Sequence, residues 1–118
     1  MFKIKRIYEA PDDDDGYRVL VDRLWPRGLT KDVAAVDLWL KDIAPSSDLR
    51  TWFHHNVGRW DGFVARYLQE LETSERSAAI RTLKAIEAEK GVVTLLFAAR
   101  EETHNHAALL LGWLDQTS

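Results

Sequence analysis

Two short apolar runs constrain this chain more than any other feature. One lies in residues 17–23 around Val19-Leu20-Val21, and the other in residues 92–98. Both are too short for typical helices and almost continuously apolar, the pattern of strands buried on both faces of a parallel sheet. Helical periodicity fills much of the chain between them. Phe63, Val64, Tyr67, Leu68 and Leu71 fall on one face of a helix over residues 61–72. Ala79, Ile80, Leu83 and Ile86 do the same over residues 77–89, and Gly91 is placed to stop that helix.

The rest of the chain fits around this frame. Residues 2–8 alternate apolar and basic side chains, which reads as a half-buried or edge strand. Pro11, four Asp and Gly16 make a solvated turn. Residues 33–43 fit a short helix or an irregular strand. Pro45-Ser46-Ser47-Asp48 opens a helix, with Ser47 or Asp48 as cap, that runs to Asn56. Residues 106–114 form a last apolar helix. The order is strand, strand, helices, strand, helix. A helical crossover into the strand at 92–98 pairs it in parallel. The expected fold is a single small three-layer α/β domain over residues 1–118, with a mainly parallel sheet flanked by helices.

A ligand of an open α/β sheet binds outside the carboxyl ends of the strands. In the expected fold two segments meet there. The strand at 17–23 ends in Asp22, Arg23, Trp25, Pro26, Arg27 and Gly28, and the strand at 92–98 runs into Arg100, Glu101, Glu102, His104, Asn105 and His106. A strand that finishes in a carboxylate, guanidiniums and an aromatic ring is poorly explained by packing alone. Arg23, Arg27 and Arg100 beside a helix N-terminus suit a phosphate, sulfate or carboxylate, because guanidinium forks bind oxyanions in pairs. Asp22 would orient an arginine or accept a proton. His104 or His106 would be the acid/base group if chemistry occurs. Trp25, Asn105 and Trp60 complete the candidate ligand-binding set. The alternative is a structural ion network, with Asp22 paired to one arginine and Glu101 to another.

Composition narrows the function classes. Cysteine is absent, so disulfides, a thiolate nucleophile and cysteine-ligated metal sites are excluded. That absence and the lack of an apolar leader fit a cytoplasmic protein. No apolar run approaches the ~20 residues needed to span a bilayer, so no membrane partner is expected. The net charge of −3 leaves room for only a local basic patch, which disfavours a general nucleic-acid surface. A nucleic-acid module would need bases stacked on Trp25 or Trp60. Trp52, Phe53, Trp60, Phe63 and Tyr67 lie at helical spacing, though, and that spacing favours core packing. If exposed instead, they would form a dimer face. The four histidines fall in the pairs His54-His55 and His104/His106. Neighbours on a helix point ~100° apart, so His54 and His55 do not share one ion easily. A histidine-based metal or haem site is a further alternative, set against solvated or capping histidines, and the sequence names no cofactor. There is no Gly-x-Ser-x-Gly and no glycine-rich phosphate loop.

The motifs together resemble the small bacterial YeaO-like proteins of the family called domain of unknown function 488. The resemblance rests on the run from Tyr17 to Gly28, on Trp52-Phe53-His54-His55, and on Arg59-Trp60-Asp61-Gly62-Phe63. It continues through Val93 to Arg100 and His104-Asn105-His106-Ala107 to Trp113-Leu114. It implies an α/β fold and a site at residues 22–28 with 100–106, and it brings no reaction. Longer members carry cysteines after the last strand. Here that loop holds Ala98, Arg100, Asn105 and His106, so no thiol role transfers.

Overall fold

The computed structural model describes residues 1–54 and 56–117. Strands β1 (Phe2–Arg6), β2 (Tyr17–Leu20), β3 (Leu38–Trp39) and β4 (Val93–Phe97) form one sheet in the order β1-β4-β2-β3. Every pair is parallel. The helices are α1 (Lys31–Ala34), α2 (Ser47–Phe53), α3 (Trp60–Glu70), α4 (Ser74–Lys90) and α5 (His106–Thr117). This is the small α/β domain that the two apolar runs imply. β4 is central because all five of its residues are buried, whereas β1 at one edge buries only Phe2.

Side-chain alternation divides the core into two unequal parts. Val19 and Val21 of the β2 segment and Val93, Leu95 and Phe97 of β4 point to one face. There they meet Leu49 and Phe53 of α2, Phe63 and Tyr67 of α3, Ala79, Ile80 and Leu83 of α4, and Leu110 and Leu114 of α5. The opposite face carries Leu20 and Leu96, covered by Ile7, Ala34 of α1, Trp25, Leu29 and Trp39. The third layer is thus one short helix and a loop.

That second face is polar at the amino ends of the strands. Arg18 and Thr94 are register partners across β2 and β4, and both are buried. Here the expectation of a wholly solvated acidic turn is corrected. Asp12, Asp13 and Asp14 are exposed, but Asp15 is 3% exposed and turned inward. Its carboxylate accepts from Arg18 Nη1, from Lys5 Nζ at 3.1 Å and from the Asp12 backbone N–H at 3.1 Å. Thr94 Oγ1 donates to the Asp15 carbonyl at 2.6 Å. Arg18 also donates to the carbonyls of Ala34 and Ala35, satisfying the end of α1. Gly16 must be glycine: its φ is +63°, and a Cβ there would lie 2.4 Å from the Val92 carbonyl oxygen.

Residues 33–43 are neither one helix nor one strand. α1 stops at Ala35, which adopts φ 50°, and the chain then adds the two-residue strand β3 and a 3-10 turn at Lys41–Ile43. Strand β3, absent from the expected order, pairs only Val19 with Leu38 and Leu20 with Trp39. Ser46 caps α2, one residue before the expected Ser47 or Asp48, by accepting from the Leu49 N–H. α2 ends at His54 in the left-handed region, short of Asn56. The second member of the His54-His55 pair, not expected to share an ion with His54, lies outside the described residues.

Candidate functional site

The carboxyl edges of β2 and β4 meet. Asp22, two residues past β2, accepts the backbone N–H of Ala98 through Oδ2 at 3.0 Å. His106, the first residue of α5, places Nε2 3.1 Å from the Val21 carbonyl and 3.1 Å from Asp22 Oδ1. Both of those oxygens can only accept, so Nε2 carries the ring hydrogen. That hydrogen bond goes to Val21, and Asp22 Oδ1 is buried without one of its own. Nδ1 is the nitrogen left for any other partner. Asp22 therefore ties the ends of β2, β4 and α5 together.

Over this junction opens a cleft of about 670 Å³. The segment after β2 forms one wall, with Trp25 and Pro26. Trp25 Nε1 donates to the Leu29 carbonyl at 2.7 Å, and the indole meets Trp39 edge-on at 5.5 Å, so its orientation is fixed. Ala44 and Pro45 form another wall. Their segment is pinned by Tyr67 Oη to the Ile43 carbonyl at 2.6 Å, by Arg76 Nε to the Ala44 carbonyl at 3.0 Å, and by the Glu70 carboxylate to Ser46. Burial pushes the Tyr67 hydroxyl pKa far up, so it stays protonated and donates. Phe53 and Phe63, with ring centroids 4.6 Å apart, line the cleft from α2 and α3. Beyond β4, Arg6 donates to the carbonyls of Ala98 and Ala99, fixing the strand end from its other side.

Four guanidinium side chains line this cleft, those of Arg23, Arg27, Arg50 and Arg100. Arg23 makes one long hydrogen bond, Nε to the Pro45 carbonyl at 3.4 Å. Among the described residues no carboxylate forms an ion pair with any of the four. The alternative network of Asp22 and Glu101 with arginines is not what forms. Asp22 takes the Ala98 N–H and lies beside His106. Glu101 accepts from Thr103 Oγ1, the His104 N–H and His104 Nδ1. The Thr103 hydroxyl leads these in holding the Glu101 carboxyl down at about 2, with the His104 backbone and ring next.

Of the residues singled out from sequence, Asp22, Arg23, Trp25, Arg27, Arg100, Asn105 and His106 line one cleft. Asn105 lines it with its amide already committed. Its Oδ1 caps α5 at the Ala108 N–H, and its Nδ2 donates to the Glu101 carbonyl. His104 and Trp60 do not line it. His104 is held by Glu101 and stands edge-on to Trp60 at 5.1 Å, while Trp60 stacks on Phe63. The aromatic run is core: Phe53, Phe63 and Tyr67 are buried, so the dimer face suggested for it is not formed by those rings. No three histidine or acidic side chains gather to hold a metal ion among the described residues. Arg50, Tyr8 and the Ala44-Pro45 wall join the cleft without having been expected. The wall had no signal in the sequence, because Tyr67, Glu70 and Arg76 pin it from far along the chain.

The fold and the cleft define a class: an α/β domain with a preformed, arginine-lined cleft at the carboxyl edge of a parallel sheet. Sequence comparison gives the particular family. The chain belongs to the family described as the inactive DUF488-N3 subclade, DUF488-N3i, which it matches over residues 1–118. It is 46% identical over 113 residues to the uncharacterized protein Rv3073c of Mycobacterium tuberculosis, covering 96% of this chain and 92% of that one. It is also 46% identical over 110 residues to the uncharacterized protein YeaO of Escherichia coli, covering 93% of each. No solved structure matches the chain significantly. No helix among the described residues is long and apolar enough to cross a membrane.

Proposed function

We propose that this protein binds a small anionic molecule, bearing a phosphate or carboxylate, in the cleft at the carboxyl edge of its sheet. One observation carries the reading. Four arginines line a single cleft, and neither carboxylate that lines it with them pairs with any of the four: Glu101 is held by Thr103 and His104, and Asp22 accepts the Ala98 N–H through Oδ2. A guanidinium without a counter-ion keeps its fork free for an oxyanion. The N-terminus of α5, where His106 begins the helix, adds a favourable dipole at the same edge. The walls are held by hydrogen bonds from β1, α3 and α4, so binding need not order them first.

The reading is of binding rather than turnover. Asp22 Oδ2 holds the Ala98 N–H, His106 Nε2 holds the Val21 carbonyl, and the family is described as inactive. The test is thermal stability across phosphate, sulfate, nucleotides, carboxylates and divalent metals, for wild type, Arg27→Ala and Arg100→Ala. A ligand at 100 times its Kd stabilises by ~2.7 kcal/mol through linkage. The expected result is stabilisation by an anion and loss of most of it in both variants. Stabilisation by no anion, or equal stabilisation in all three proteins, overturns the proposal. Stabilisation by divalent metal alone would favour a histidine-based site instead.

A further inference from the structure

Accepting the anion-binding reading, we infer that the ligand is amphipathic, with an oxyanion head on a flat apolar body, and is not an inorganic ion. The size of the cleft is the first argument. At about 670 Å³ it falls within the range of ~300–1,000 Å³ typical of sites for small organic molecules. A bare oxyanion would fill a small part of it and leave its walls wet. The second argument is the chemistry of those walls. Trp25, Pro26, Pro45, Phe53 and Phe63 are flat or ring-bearing, and most of the surface between the guanidiniums is apolar. Flat walls fixed in orientation favour a planar body, which gains stacking as well as burial.

Leu24 is 58% exposed and Tyr8 is 43% exposed, and both line this cleft. Leu24 belongs to neither part of the core and follows Arg23 in a cleft lined by four arginines. It would cover an apolar body seated below it. The same loop supplies Arg23 and Arg27 on either side of Leu24 and Trp25. One stretch of chain thus offers charge and apolar surface in alternation, as a ligand with both characters requires.

The test is calorimetric titration of the full chain with inorganic phosphate, phenyl phosphate, benzoate and the neutral benzamide. Wild type is compared with Leu24→Ser, a substitution at an exposed side chain that leaves the core untouched. The expected result is that phenyl phosphate binds at least tenfold more tightly than inorganic phosphate. Leu24→Ser should cut that ratio severalfold. Benzoate binding with the same preference over benzamide would extend the head group to carboxylates. Phenyl phosphate and inorganic phosphate binding within a factor of two of one another overturns this inference and leaves anion binding standing. Benzamide binding as tightly as phenyl phosphate overturns the requirement for charge. Failure of all the anions to bind overturns this inference and the proposed function together.

Discussion

Asp15→Asn is the sharpest perturbation of the fold that the structure offers. The substitution is nearly isosteric and removes only the charge. The wild-type carboxylate faces Arg18, which is 4% exposed, and Lys5, whose side chain is 18% exposed. Without it two cations face each other, one of them with no route to water. Breaking one partner of a buried ion pair costs ~3–5 kcal/mol. Two features of this site favour the lower end. Arg18 keeps its hydrogen bonds to the carbonyls of Ala34 and Ala35, and Lys5 is exposed enough to swing outward. The expected loss is therefore about 3 kcal/mol, a large part of the ~5–15 kcal/mol typical of a domain. For a chain of this length that lowers Tm by roughly 12 °C. Urea denaturation at neutral pH should show a shifted midpoint with an unchanged slope. The pH profile supplies a second readout. Burial alone would raise the Asp15 pKa, but hydrogen bonds from the Asp12 backbone, Lys5 and Arg18 outweigh it and hold it below 3.8. A lowered folded pKa gives stability that is complete above the unfolded value, ~3.9, and disappears as pH falls through the folded one. The gap between wild type and Asp15→Asn should narrow below that pH. A loss under about 1 kcal/mol, of the size expected for a surface pair, would refute the buried-pair account.

Gly16→Ala should destabilise by at least about 2 kcal/mol in the same urea assay, because positive φ and a clash with the Val92 backbone add. Thr103→Val should raise the Glu101 carboxyl from about 2 toward the ordinary ~4.3, read by NMR titration. The small stabilisation from that depressed pKa is present above ~4.3 and lost as pH falls toward the folded value, so the variant should lose it at higher pH. Asp22→Asn should cost ~1–3 kcal/mol, since an amide N–H replacing Oδ1 would face His106 Nε2–H, donor against donor, or Ala98 would lose its acceptor. A variant as stable as wild type in chemical denaturation would show that Asp22 does not brace the strand ends.

The parts of the fold legible in sequence are those that local pattern decides. β2 and β4 carry apolar runs, broken by Arg18 and Thr94, because both faces are buried, and α3 and α4 carry one apolar face because the other meets water. Their parallel pairing then brought residues 22–28 and 100–106 to one edge. Strand β3 was not legible because its two residues owe their extended form to bonds made from β2: the Arg18 carbonyl holds Asp37 and the Leu20 carbonyl holds Leu40. Asp15 was misread for a related reason. Four consecutive aspartates look alike in sequence, and only the approach of Arg18 and Lys5 from neighbouring strands singles out the fourth. The Ala44-Pro45 wall depends on Tyr67, Glu70 and Arg76, none of which carries a mark of that task. Trp60 and His104 turn toward each other rather than into the cleft, because Trp60 packs against Phe53 of α2 and stacks on Phe63 of α3.

The arginines themselves supply the contrast that gives the cleft its meaning. Arg18 and Arg76 show how this fold treats a guanidinium that holds structure together. Each is buried, each has a carboxylate nearby, in Asp15 and Glu70, and each donates to backbone carbonyls that would otherwise go unpaired. Arg23, Arg27, Arg50 and Arg100 receive no such treatment. They come from three separate segments, none has a carboxylate partner among the described residues, and only Arg23 reaches a backbone carbonyl, at 3.4 Å. Scattered over a surface, four such side chains would simply be solvated. Three of the four are exposed, but repulsion between like charges lining a concave, apolar-walled cleft is relieved by water and salt less well than on an open face. The strand ends beneath are braced by Asp22, His106 and Arg6, so the segments that carry Arg23 and Arg100 start from fixed points. An oxyanion in the cleft would remove the repulsion, which is why the unpaired state of these arginines counts toward a ligand and the paired state of Arg18 and Arg76 does not.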